Sequence, residues 1–245
     1  MSAFAPEAII TIGSFPITNT IINTLLVDSA IVGGVIVLNK KLAKIPNYFQ
    51  NIFEMVMQGF YGLAESVAGK NTAKIFPWFM SFFLFILIAN WSGLLPGAGS
   101  IGFFEGHGED RHLVPLLRNA TSDLNATLAL AMISLIATHT LSIRAIGIKD
   151  YLTRYFSLNP ILLFVGILEI VSEITKLISL SFRLFGNIYA GEVVLGTISS
   201  LFAFIAPIPF LLLEVIVGLV QALVFSMLTM AFMSILMTPH HAEEH

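Results

Sequence analysis

Apolar residues come in runs of about twenty, the length of a helix that crosses a bilayer, separated by short basic or glycine-rich stretches. The first span, Ile17 to Leu38, ends at Lys40, Lys41 and Lys44. Tyr48 to Gly69 is amphipathic, which predicts an interfacial or re-entrant helix. A second span runs from Phe76 to Leu95, with Trp78 and Trp91 near its ends, where interfacial aromatics belong. A polar, glycine-rich loop follows from Pro96 to Asn119, then a third span from Thr121 to Ile143 and a short loop with Arg144, Lys149 and Arg154. Asn159 to Glu192 and Ile208 to Met237 each hold 30 residues or more. Helices of that length reach ~45–50 Å, past a ~30 Å hydrocarbon core, so they must tilt, lie partly in the plane or break. A hairpin joined around Gly196 to Pro209 is expected.

The fold expected is therefore an all-α polytopic membrane protein. It has about five transmembrane helices plus an interfacial or re-entrant helix, with the last two long and steeply tilted as a hairpin. Residues 1–245 form one membrane domain, divided into 1–75, a central hairpin over 76–158 and the tilted hairpin over 159–245. A β-barrel would show short alternating segments instead. Composition agrees: 56% of residues are hydrophobic and 11% charged, against ~25% charged in a soluble domain. Cysteine is absent, which excludes disulfides and thiolate metal sites. No basic tract points to nucleic acid, and no glycine-rich phosphate loop points to ATP binding by this chain. Met1 to Phe15 carries no Lys or Arg, so the spans themselves are expected to guide insertion into a bacterial inner membrane.

Eight of the twelve Lys and Arg lie in the Lys40–Lys74 and Arg144–Arg154 regions. The positive-inside rule then puts Met1 outside and the histidine-rich C-terminus in the cytoplasm. His240, His241 and His245 read as a solvated tail and not as a metal site. Neither a repeat period nor an inverted repeat is visible, which counts against a self-contained secondary transporter.

One charge stands out. Arg183 has apolar sequence on both sides, and a guanidinium at mid-bilayer costs at least ~2.5–3.5 kcal/mol on insertion scales. A helix turns ~100° per residue, so Glu169, Glu173, Lys176, Leu180, Arg183 and Asn187 form one stripe. That stripe looks like the wall of an aqueous half-channel open to the cytoplasm. Glu192, nine residues beyond Arg183, falls ~180° round the same helix. Glu214 and Gln221 are seven apart and share a face of the last helix. With Glu192 they point to a second polar path, open to the outside. Arginine stays charged in proteins, so it cannot carry protons. It can hold a carboxylate in its ionised form, and that carboxylate must come from a partner, since no acid of this chain is placed to visit and leave Arg183.

These residues closely resemble subunit a of the F-type ATP synthase. The resemblance is strongest in Arg183-Leu184-Phe185-Gly186-Asn187-Ile188-Tyr189-Ala190-Gly191-Glu192. Weaker matches are Asn90 with Gly93-Leu94-Leu95-Pro96, and Asp123-Leu124-Asn125-Ala126-Thr127. It covers the chain from about residue 70 onward, while earlier residues match mainly in layout. It implies a proton-translocating stator subunit with no ATP chemistry, cofactor or metal of its own. The partners implied are the rotor c-ring, the peripheral-stalk b subunits and the lipid bilayer; the carried ion is a proton, with sodium left open. Arg183 would be the essential arginine between the half-channels, with Asn187 and Gln221 as its polar neighbours. Glu192 and Glu214 would be the outer pair, where some family members carry His at position 214. Glu169 would be the cytoplasmic acid. Glu173 and Lys176 are less uniform in the family, and either line that path or pair with each other at i, i+3.

Three of the remaining candidates have two readings each. Asn90 is a channel amide or an interhelical hydrogen-bonding residue. Asp28 lines the outer path or meets a neighbouring helix. Asp123 caps the third span or sits at the outer channel mouth. His139 reads as a packing residue.

Overall fold

A computed structural model describes residues 8–12, 15–42, 46–95, 102–105, 112–115, 118–156, 160–201 and 207–238. The expectations for Met1–Glu7, for much of the Pro96–Asn119 loop, for the hairpin turn at 202–206 and for the C-terminal histidines lie outside these residues. The helices are α1 (Asn19–Lys41), α2 (Tyr48–Ala68), α3 (Thr72–Ser92), α4 (Leu124–Ile146), α5 (Ile148–Tyr155), α6 (Pro160–Leu201) and α7 (Pro207–Leu236). The chain is an all-α polytopic membrane protein. Among the described residues, four stretches are long and apolar enough to cross a membrane: Asn19–Lys40, Gln50–Ser92, Leu124–Ile146 and Pro207–Leu236. Helix α6 is not among them, because Glu169, Glu173, Lys176, Arg183 and Glu192 interrupt its apolar sequence.

Local sequence accounts for the ends of these elements. Pro160 and Pro207 open α6 and α7, where the missing N–H would have had no helical partner. Asp123 precedes α4, and its Oδ1 accepts the Asn125 N–H at 2.9 Å, the N-cap that the sequence predicts. Gly69 (φ +51°) and Gly147 (φ +87°) turn the chain between α2 and α3 and between α4 and α5, in a region that L residues rarely adopt. Three features were not anticipated: the short helix α5 and two antiparallel hairpins, β1 (Ala8–Ile12) with β2 (Phe15–Thr18) and β3 (Gly102–Glu105) with β4 (His112–Pro115).

Residue contacts divide the chain into two compact units. The first holds Met1–Lys40, Phe83–Thr127 and Phe182–Leu223; the second holds Lys41–Phe82, Leu128–Ser181 and Val224–His245. Polar side chains tie the first unit together. Asn90 is buried, donates to the Gly218 carbonyl at 3.0 Å and accepts from Thr121 Oγ1 at 2.6 Å. Of its two readings, the structure realises the interhelical bond. Asn23 donates to the Arg118 carbonyl at 2.8 Å, and Thr20 donates to Asp123 at 3.1 Å. Such bonds suit a membrane interior, where a polar group without a partner is costly.

The second unit combines aromatic packing with hydroxyl bonds. Phe60 meets Phe79 and Phe82 meets Phe225, with ring centroids 5.9 and 5.7 Å apart. Ser134 and Thr229 are hydrogen-bonded at 2.8 Å, and Ser142 donates to the Leu236 carbonyl at 2.6 Å. The end of α5 lies so close to α6 that a Cβ on Gly166 would stand 2.2 Å from the Tyr155 carbonyl oxygen.

Gly166→Ala should therefore overpack this contact and destabilise the purified subunit by about 1–3 kcal/mol, read as a lower unfolding midpoint in detergent. Gly59→Ala, where nothing lies within 4 Å of the added Cβ, should be neutral or slightly stabilising through helix propensity.

Candidate functional site

Helix α6 buries Ser181, Leu184 and Ile188, which turns Arg183, Asn187, Ala190 and Val194 onto an exposed face. Those four residues recur at i, i+4, i+7 and i+11, the spacing of one helix stripe. Asn187 Nδ2 donates to Gln221 Oε1 at 2.8 Å. Gln221 is buried, and its Nε2 has no hydrogen-bond partner among the described residues. One amide pair thus joins α6 to α7 one turn beyond Arg183.

Further along α6 the acids occupy different ground. Glu192 is half-buried, and one of its oxygens lies 3.8 Å from the Arg118 guanidinium. Glu214 of α7 is only 7% exposed, and its Oε2 is buried without a hydrogen-bond partner among the described residues. A Cβ on Gly191 would stand 2.4 Å from Glu214 Oε1, so only glycine lets the carboxylate approach the helix this closely. Asn187, Gly191, Val194, Phe210, Glu214 and Val217 line an open cavity of about 370 Å³. It is large enough for a chain of waters and presents an amide and a carboxylate on otherwise apolar walls. The other outer candidates are not part of it: Asn90 is committed to its interhelical bonds, and Asp28 is exposed on α1.

The second unit holds the rest of the predicted stripe, and here the structure departs from an open wall. Glu173 is 6% exposed, and its Oε1 pairs with Lys176 Nζ at 2.9 Å. The i, i+3 pairing is therefore realised. The Lys176 ammonium also stands 4.7 Å from the centre of the Phe232 ring, a cation–π distance. Glu169 pairs with Arg154 of α5 at 2.6 Å. Leu180 is buried. A small cavity of about 10 Å³ is lined by Ser134, Thr138, Glu173, Lys176, Leu180 and Phe232 among others, roughly the space of one water.

His139 packs its ring edge-on against Tyr151, with centroids 5.9 Å apart, and it also makes polar contacts that the sequence reading did not foresee: its Nδ1 is hydrogen-bonded to Tyr151 Oη at 2.8 Å, and its Nε2 lies 3.9 Å from Glu173 Oε2. Arg118 and Arg154 are the other polar residues that the sequence did not single out. Each lies outside the periodic helices and meets its acid only through tertiary folding. Their signal was weak: two basic residues close to spans that carry unexplained acids.

The ATP synthase A chain family matches residues 20–234, well before residue 70, where the resemblance was expected to start. The ATP synthase subunit a of Moorella thermoacetica is 31% identical over 234 residues, covering 96% of this chain and 97% of that protein. The match thus extends across nearly the whole of both chains. The chain belongs to the ATP synthase A chain family.

Proposed function

We propose that this chain is the proton-translocating stator subunit of an F-type ATP synthase, facing a rotating ring of carboxylate-bearing subunits. The single observation that carries this is the exposure of Arg183 on an unbroken face of α6. A guanidinium exposed on a helix of a membrane protein is costly to hold in hydrocarbon, and a carboxylate on a neighbouring subunit would lower that cost. Arg183 holds each arriving rotor carboxylate in its ionised form and so drives off its proton. It also blocks a continuous proton path by charge.

Protons reach and leave the ring by two offset routes. The outer route uses the cavity beside Asn187 and Glu214, with Gln221 and Glu192 along it and Asn90 and Asp28 behind it. The inner route uses Glu169, Glu173 and Lys176. The driving force is ~2.3 kcal/mol per charge per 100 mV, plus any pH term. ATP chemistry belongs to other subunits, and peripheral-stalk b subunits hold this one still. The chain sits in a bacterial inner membrane, with its N-terminus outside and its C-terminus in the cytoplasm, as the basic loops favour.

Two outcomes are expected. In assembled complexes, Arg183→Ala should abolish ATP-driven acidification of inverted vesicles while ATP hydrolysis by the soluble head continues. Normal acidification in that variant overturns the proposal. Gly191→Ala should displace the Glu214 carboxylate and slow proton translocation by about tenfold or more, since small misplacements in a transfer path are costly. The check is the acidification rate at equal complex abundance.

A further inference from the structure

The second unit contains a titratable group that the proposed path does not yet use. His139 bridges two elements: Tyr151 of α5 holds its Nδ1 at 2.8 Å, and its Nε2 faces Glu173 Oε2 of α6 at 3.9 Å. The exposure of this pair is graded, with the His139 side chain 24% exposed and that of Glu173 9%. Glu173 Oε2 is itself buried and accepts no hydrogen bond from the described residues, whereas Oε1 is already held by Lys176. Away from His139, Glu173 borders the one-water cavity that continues to Ser134, Thr138 and Leu180. An accessible imidazole, a buried carboxylate oxygen with spare capacity and a water-sized space thus occur together.

We propose that His139 is a proton-carrying residue of the inner path, exchanging protons between the aqueous side and Glu173; this rests on the stator reading above. The Tyr151 hydroxyl lies 2.8 Å from Nδ1 and accepts from it when the neutral ring carries its N–H there, which leaves Nε2, the nitrogen facing Glu173, bare. Hydronium gives its proton to Nε2 and becomes water, and the imidazolium then carries an N–H at both nitrogens. In the transfer, the N–H bond at Nε2 breaks as an O–H bond forms at Glu173 Oε2. The imidazolium becomes imidazole and the carboxylate becomes carboxylic acid. The torsion that swings the carboxyl group is broad, so the 3.9 Å gap can close without moving either helix. Lys176 keeps the emptied carboxylate ionised for the next proton. The charged and titratable groups facing His139 are Tyr151 from α5 and Glu169, Glu173 and Lys176 from α6. Helix α7 brings the Phe232 ring to this cluster.

The test uses whole ATP synthase complexes in inverted vesicles, with the acidification rate followed across pH. Native complexes should show a titration step between about pH 5 and 8, the histidine range. His139→Gln, which keeps a polar group near Tyr151, should flatten that step and slow transport about tenfold where it limits. Added imidazole should restore part of the rate in His139→Ala. Native rate and profile in His139→Gln, or uniform slowing at every pH without imidazole rescue, would overturn the proposal. If His139 variants assemble poorly, Glu173→Gln must produce the same flattening with His139 intact, and an unchanged profile there overturns it equally. Arg183→Ala is measured alongside. Normal pumping in that variant removes the stator reading itself, whereas blocked pumping there with a native profile in His139→Gln removes only the role of His139.

Discussion

A guanidinium on the exposed face of a membrane helix is costly to hold in hydrocarbon, and the functional account depends on that constraint. Many polar side chains of the described spans are folded away. Asn90, Thr121, Ser134, Gln221 and Thr229 are buried at helix contacts, most of them in hydrogen bonds between helices. Arg183 is exposed, because the helix turn that buries Leu184 and Ile188 directs it outward with Asn187 and Ala190. On the proposed stator reading, a rotor carboxylate would match the charge of that face.

The two units handle charge differently. In the first, Glu214 and Asn187 open onto a cavity of about 370 Å³, and Glu192 keeps Arg118 at a loose 3.8 Å. In the second, Glu169 and Glu173 are tightly paired with Arg154 and Lys176, beside a space of about 10 Å³. An open cavity favours rapid exchange through water. Paired acids with little water favour stepwise transfer between fixed groups. The difference gives the proposed routes distinct chemistry as well as distinct positions.

Much of this was legible in the sequence because membranes restrict what a chain can do. Apolar length located α1, α3, α4 and α7. Helical period put Arg183 and Asn187 on one stripe, and both are exposed on α6. The period could not say that Glu173 and Leu180 would be covered while Arg183 stayed exposed, since that depends on which neighbour packs over each turn. Nor could it find Arg118, Arg154 or His139 as partners of the acids, because those contacts join residues from different elements. Helix α5 is only eight residues long, and its polar sequence carries no span signal. The closeness of Gly191 to Glu214 is likewise a tertiary fact; the sequence shows a glycine but not what lies over it.

The central claim is that two aqueous routes open to opposite sides of the membrane and do not join. Because the chain has no cysteine, a single introduced thiol reports one position. Val194→Cys lies on the larger cavity and Leu177→Cys on the smaller. A small, membrane-impermeant cationic thiol reagent would be applied to assembled complexes in right-side-out and inverted vesicles, and labelling rates compared. The account predicts that Val194→Cys reacts mainly from the outer side and Leu177→Cys mainly from the cytoplasmic side. Equal labelling of either thiol from both sides, or the reverse pattern, would contradict it.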